Sequence, residues 1–297
     1  LVTFLLGLTL VNFGYGEATR TVTDGLDRQV SLSGNPERVV TTDVPTTEIA
    51  LDLGLDERLV GVPDLIKHLS YVPELQEKAK KKKKVGKFKM SLEKVAGSSP
   101  DLIIIGASSQ KGAIKKLEEL GATVYAAGSK SISDVKEAIL DIGYLTGTKS
   151  RAQEIVGKMV YKEVRLKEAV RRLDAKKKVF YTFTDSMYTT GGNTFLGEAL
   201  ELAGLNNVFS GLSGYKKVAT EEIIRKNPEL ILATKDMGLT KEGFKTRVGL
   251  KGVQAVEEGN IIFLSQGEDS MINQAGTKIV VGAINLFEKV YDKGLSL

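Results

Sequence analysis

SLEKVAGSSPDLIII, residues 91–105, and ATEEIIRKNPELILA, residues 219–233, are two copies of one pattern. In each, a glutamate (Glu93, Glu221) opens a helix-like segment and a proline (Pro100, Pro228) stands seven residues further on. An acid, a leucine and an isoleucine follow each proline directly. Proline lacks an amide hydrogen and crowds the preceding turn, so a helix must end before it. The short branched apolar run beyond reads as a buried strand. A second pair agrees in order and spacing: Glu48 precedes Gly54 by six residues, as Glu198 precedes Gly204, and both glycines close an apolar helix. Two matched spacings in the same order imply two related lobes with a pseudo-twofold relation.

Working outward, the first half carries unalternating apolar runs at 38–42 (RVVTT), 59–62 (LVGV), 102–105 (LIII) and 123–127 (TVYAA). The second half has them at 179–183 (VFYTF), 230–233 (LILA) and 261–264 (IIFL). Strands covered on both faces by helices lose the in–out alternation, as in parallel α/β sheets. TVTDGLDRQVSL predicts a hairpin around Asp24-Gly25. In DVKEAILDIGYL, Asp134 and Glu137 have capping-box spacing, and Val135, Ala138, Ile139, Ile142 and Leu145 share a face. From 149 to 173 a helical stripe runs without proline; ~25 residues at 1.5 Å each give roughly 37 Å, enough to join two lobes. The expectation is an α/β protein with two Rossmann-like lobes, each with a parallel central sheet. They occupy 17–148 and 174–297, bridged by one long α-helix over 149–173.

Residues 1–16 read as the remnant of a signal peptide. Leu1 to Phe13 is apolar but shorter than the ~20 residues that span a bilayer, and Gly14 and Gly16 suit cleavage before Glu17. The chain has no cysteine, which removes disulfides, thiolate sites and a lipidated cysteine anchor. The expected location is therefore the periplasm, secreted and not lipid-anchored. A single histidine, His68, makes a poor cage for free metal, and no metal site is expected. The net charge of +5 arises largely from the lysine run Lys80–Lys84, which lacks interleaved aromatic residues. Nucleic acid is set aside on that ground. GYLTGTKS (143–150) follows a helix and not a strand, unlike a phosphate loop, and GGNTFLG (191–197) lacks dinucleotide spacing. The double glycine instead permits a turn before a helix capped by Asn193 or Thr194. No serine lies in a nucleophile elbow that would pair with His68. No catalytic residue or cofactor is expected.

The stretches 38–64 (RVVTTDVPTTEIALDLGLDERLVGVPD), 91–106, 188–209 (YTTGGNTFLGEALELAGLNNVF) and 215–232 (YKKVATEEIIRKNPELIL) resemble the periplasmic binding proteins for iron-siderophores, haem and vitamin B12. The resemblance runs in order from about residue 20 to 297. It implies a monomeric component of an ABC importer, limited hinge motion, a metal chelate in the inter-lobe cleft and docking onto a permease dimer. It also implies that Glu93 and Glu221 pair with permease arginines. Two departures stand out. The loop SQGEDSMINQAG (265–276) lacks the arginine that several relatives direct at anionic ligands, with Gln274 nearest its place. The chain also has no tryptophan, and Lys87 and Tyr215 occupy two positions where B12 binders line the cleft with it. Both departures speak against cobalamin and citrate-type ligands.

Ligands of open parallel sheets sit beyond the carboxyl ends of the strands. That rule places Asp43 to Thr46, Leu65, His68 and Gly106 to Ser108 on one wall. Tyr188, Tyr215, Met271 and Gln274 fall on the other, with the tyrosines the favoured contacts because each offers a flat apolar face and a polar edge. The competing reading is an enzyme on the same scaffold, of chelatase or glycosyl-transfer type.

Overall fold

The computed structural model describes residues 18–87, 90–235, 238–247 and 249–295; the expected leader lies outside them. Thr19–Thr23 and Gln29–Ser33 form the antiparallel hairpin. Its turn is fixed by Asp24, whose carboxylate accepts from the amides of Leu26 and Arg28 and from the Arg28 guanidinium. The same carboxylate accepts from the Ala126 amide, which ties the hairpin to the first sheet.

That sheet is five-stranded and parallel. Its order is Lys83–Lys84, Leu59–Val62, Val39–Thr41, Leu102–Gly106, Thr123–Ala127. Taken in chain order this is a 3-2-1-4-5 arrangement, so the chain reverses direction of travel between Val39–Thr41 and Leu102–Gly106. The crevice outside the ends of those two strands is where such sheets take ligands. The missing alternation has its expected cause: Leu102, Ile103, Ile104 and Ile105 are all 0% exposed.

The second sheet is parallel and four-stranded, ordered Asn206–Asn207, Lys178–Thr182, Leu230–Thr234, Ile261–Leu264. An antiparallel ribbon, Tyr188–Thr190 with Tyr215–Lys217, stands apart from it. The helix Phe195–Leu202 is capped by Thr194, whose hydroxyl accepts from the Gly197 amide at 2.9 Å. Gly191 makes the approach to that cap possible, because a Cβ there would lie 1.9 Å from the Leu212 carbonyl oxygen. We expect Gly191→Ala to destabilise the protein by about 1–3 kcal/mol, since backbone has to move to admit the methyl group. A urea titration with an unchanged midpoint would refute this.

Two helix boundaries differ from the sequence expectation. The helix Ile132–Leu145 is capped by Ser131 and not by Asp134. The Ser131 hydroxyl accepts from the Asp134 amide at 3.0 Å and donates to its carboxylate at 2.6 Å, so Asp134 is the returning acid of the cap. The bridging helix spans Lys149–Val170, 22 residues or about 33 Å, and does not continue to Leu173. Leu173 turns onto Gly204, where a Cβ would come within 3.0 Å of it. The bridge packs on Ile132–Leu145 through Gly143 against Ala152, whose closeness leaves no room for a second Cβ, and through a Lys136–Glu163 ion pair of 3.0 Å.

Candidate functional site

A cavity of about 180 Å³ opens at the switch point of the first sheet. Asp43, Thr46, Gly106 and Ser108 line it from the first lobe, together with Pro45 and Ser129. From the second lobe come Phe195 and Asn273. Asp43 is drawn there as the cap of the helix Val44–Asp52: its carboxylate accepts from the Thr46 amide at 3.0 Å and from the Thr46 hydroxyl at 2.7 Å. Burial pushes its pKa above the usual carboxylate range. These contacts fit Asp43 to shape the wall, with its Oδ1 already engaged. Ser108 is exposed, and its hydroxyl lies 3.3 Å from that of Ser129.

An aromatic row adjoins the cavity, and of its members Phe195 lines it. Tyr188 and Tyr215 stand on the two strands of the ribbon and are 42% and 39% exposed, high for such large side chains. Phe183 links them, with ring centroids 6.3 Å from Tyr188 and 6.1 Å from Tyr215. Phe195 continues the row, 6.5 Å from Tyr215. The row therefore reaches the cavity through Phe195. Burial raises the Tyr215 hydroxyl to about 12, so near neutral pH it is a phenol, a hydrogen-bonding group and not an anionic metal ligand.

His68 and Leu65 sit at the 3₁₀ turn Ile66–Leu69, both half-buried. The His68 ring nitrogen Nδ1 lies 3.3 Å from the side-chain amide of Gln266, a contact between lobes. Burial, then Lys67, lower the His68 pKa, against the pull of Asp269. Asp269 is itself buried beneath the second wall, accepting from Tyr181 at 2.5 Å and Thr234 at 2.8 Å. Lys87 is exposed beside the Gly86–Met90 bridge.

Two expected contacts are displaced. Met271 faces the C-terminal helix Ile279–Tyr291: its sulfur accepts from Asn285 at 3.5 Å, and a Cβ on Gly282 would come within 2.8 Å of it. Gln274 ends the helix Gln266–Asn273, and its neighbours Asn273 and Ala275 line the cavity in its stead. Gln274 leaves the helix in extended backbone (φ −115°, ψ 130°), where successive side chains point to opposite sides, and Met271 lies two residues before Asn273 on the helix, about 200° round it. Phe183, Phe195 and Asn273 were missed from sequence. Only Phe195 left a signal, as the first residue after the Thr194 cap.

Glu93 and Glu221 occupy the same place in their respective lobes. Each is the second residue of its helix, Leu92–Ala96 behind Ser91 and Thr220–Lys226 behind Ala219. Both are exposed. Among the described residues neither carboxylate takes part in an ion pair, whereas Glu222 next to Glu221 pairs with Arg225.

A family model described as periplasmic binding protein matches residues 39–267. The chain belongs to that family. An uncharacterized ABC transporter substrate-binding lipoprotein of Bacillus subtilis (strain 168), YvrC, is 28% identical over 279 residues, 91% of this chain and 85% of that protein. A vitamin B12-binding protein of Vibrio vulnificus (strain CMCP6) is 30% identical over 214 residues, 69% of this chain and 74% of that protein. Among solved structures, a possible iron-binding periplasmic solute-binding protein of Staphylococcus epidermidis superposes with a TM-score of 0.72 at 26% identity, covering 86% of this chain and 99% of its own. The periplasmic binding protein family and these relatives are binding proteins, not enzymes, which sets the enzyme reading aside. Among the described residues no helix is long and apolar enough to cross a membrane, and no group of three or more histidine or acidic side chains is disposed to hold a metal ion.

Proposed function

We propose that this chain is the substrate-binding component of an ABC importer, which takes a metal chelate of the iron-siderophore class into the inter-lobe cleft and delivers it to a permease dimer. The observation that carries the reading is the aromatic row Phe183, Tyr188, Tyr215 and Phe195, its two tyrosines exposed, which runs into a small cavity at a topological switch point. Such a row receives the flat or ring-bearing surface of a chelator while the metal stays within its own ligands. The similar proteins named for vitamin B12 and iron support the chelate class. Iron-siderophore is preferred over cobalamin because the cleft is lined without tryptophan. The pseudo-symmetric Glu93 and Glu221, which form no ion pair among the described residues, support the docking part of the proposal.

The chain's intrinsic fluorescence comes from tyrosine, since it contains no tryptophan. Titration with ferric catecholate and hydroxamate siderophores, haem and cobalamin is expected to quench it, with a ferric siderophore binding most tightly. Haem or cobalamin as the sole binder would replace the ligand class. Binding of none at micromolar concentration would reject the chelate reading.

A further inference from the structure

The matched glutamates Glu48 and Glu198 each reach out of their own lobe into the other. Glu48 lies on Val44–Asp52, the first helix of the first lobe, and is 0% exposed. Its Oε1 accepts from the Thr277 hydroxyl at 2.6 Å and from the Lys278 amide at 3.1 Å, at the start of the C-terminal helix Ile279–Tyr291. Glu198 lies on Phe195–Leu202, the first helix of the second lobe. Its Oε2 accepts from the Ile132 amide at 2.7 Å, at the start of the last helix of the first lobe, Ile132–Leu145. First helix to last helix, across the seam, occurs once in each direction.

Local packing is cut to fit the arrangement. A Cβ on Gly276 would lie 2.6 Å from Glu48 Oε2, so the incoming loop closes on the carboxylate only because residue 276 is glycine. Tyr71 donates to that same oxygen. Lys278 pairs with Asp52 at 2.6 Å one turn along the first helix, which adds a second cross-lobe link. Free amides at a helix start need acceptors, and a carboxylate there also meets the positive end of the helix dipole. Each lobe's closing helix thus has its first turn completed by the other lobe.

We propose that Glu48 and Glu198 are paired interlobe latches that fix the angle between the lobes, and hence the width of the cleft, before any ligand arrives. They act as positioning residues, with no contact to the ligand. The two latches leave the pseudo-twofold axis between them, so releasing one permits rocking about the other, and releasing both leaves the seam to the Lys278–Asp52 pair, the His68–Gln266 contact and the bridging helix. The inference concerns the ligand-free chain and does not depend on the identity of the cargo.

The test is a distance measurement between spin labels on the two lobes in the ligand-free protein. The absence of native cysteine makes labelling at Glu119→Cys and Lys241→Cys unambiguous, both positions being exposed. In the labelled background, Glu48→Gln with Glu198→Ala is expected to broaden the distance distribution, and each single change to broaden it less. Asp101→Ala serves as a control. Asp101 accepts from the amides of Glu37 and Arg38 within the first lobe, so its loss lowers Tm without altering the distribution. A folded double variant with the parent's narrow distribution and a lowered Tm would overturn the proposal, leaving the carboxylates as ordinary stabilising contacts. Should Glu48→Gln fail to fold, Glu198→Ala alone decides: broadening supports the latch, and an unchanged distribution rejects it.

Discussion

Replacing Tyr188 and Tyr215 together by alanine lowers affinity for the bound chelate about thirtyfold or more, equivalent to about 2 kcal/mol. The expectation follows from exposure and linkage. Both rings are held by Phe183 yet leave two-fifths of their surface uncovered, so they are positioned in advance and lose little freedom when a ligand covers them. Phenylalanine at both positions separates the ring from the hydroxyl. If stacking dominates, that variant binds within a few-fold of the parent; if the hydroxyl edges matter most, it falls with the alanine variant. Calorimetric titration measures both. An affinity within twofold of the parent for the double alanine variant would remove the ribbon from the site.

The second large effect concerns delivery. Glu93 and Glu221, one per lobe and each at the second position of a short helix, present two carboxylates to a partner that has its own twofold axis. A single exposed ion pair contributes about 0.2–1 kcal/mol, so Glu93→Ala or Glu221→Ala alone should reduce uptake only a few-fold. Two contacts on a rigid body reinforce one another, because forming the first raises the effective concentration of the second. The double variant is therefore expected to lose transport by about tenfold or more in liposomes holding the permease, while chelate binding stays at the parent's level. Raising salt should weaken the parent's docking in the same direction. Uptake unchanged in the double variant would falsify the docking role, whereas lost chelate affinity would move these acids into the cleft.

The fold is legible in the repeat. Pro100 and Pro228 mark the ends of helices, and the runs after them are strands because nothing polar interrupts Leu102–Ile105 or Leu230–Ala233. Strand ends also pointed to Asp43, Thr46, Gly106 and Ser108, which lie at or just beyond the carboxyl ends of two strands and share one cavity. The second wall was harder to read. Its residues come from a ribbon, a helix start and a helix end, where a shift of one residue exchanges Gln274 for Asn273 and where Met271 faces the helix Ile279–Tyr291. The strand-end rule does not separate a helix cap from a ligand contact at Asp43, because the two share the same sequence position. The link from Glu48 to Thr277 joins residues at opposite ends of the chain, which no local pattern reports.

That separation also bears on the order in which the molecule is completed. Each sheet is built from one continuous stretch of chain, so each lobe has the contacts to form on its own before the other is finished. The Glu198–Ile132 contact closes a loop of 66 residues, while Glu48–Thr277 closes one of 229. Loop closure becomes slower and more costly in entropy as the intervening chain lengthens. The hydrogen bond that sets the last degree of freedom between the lobes therefore waits for Ile279–Tyr291, the last helix among the described residues, and until that helix packs a nascent chain holds both sheets without a finished cleft.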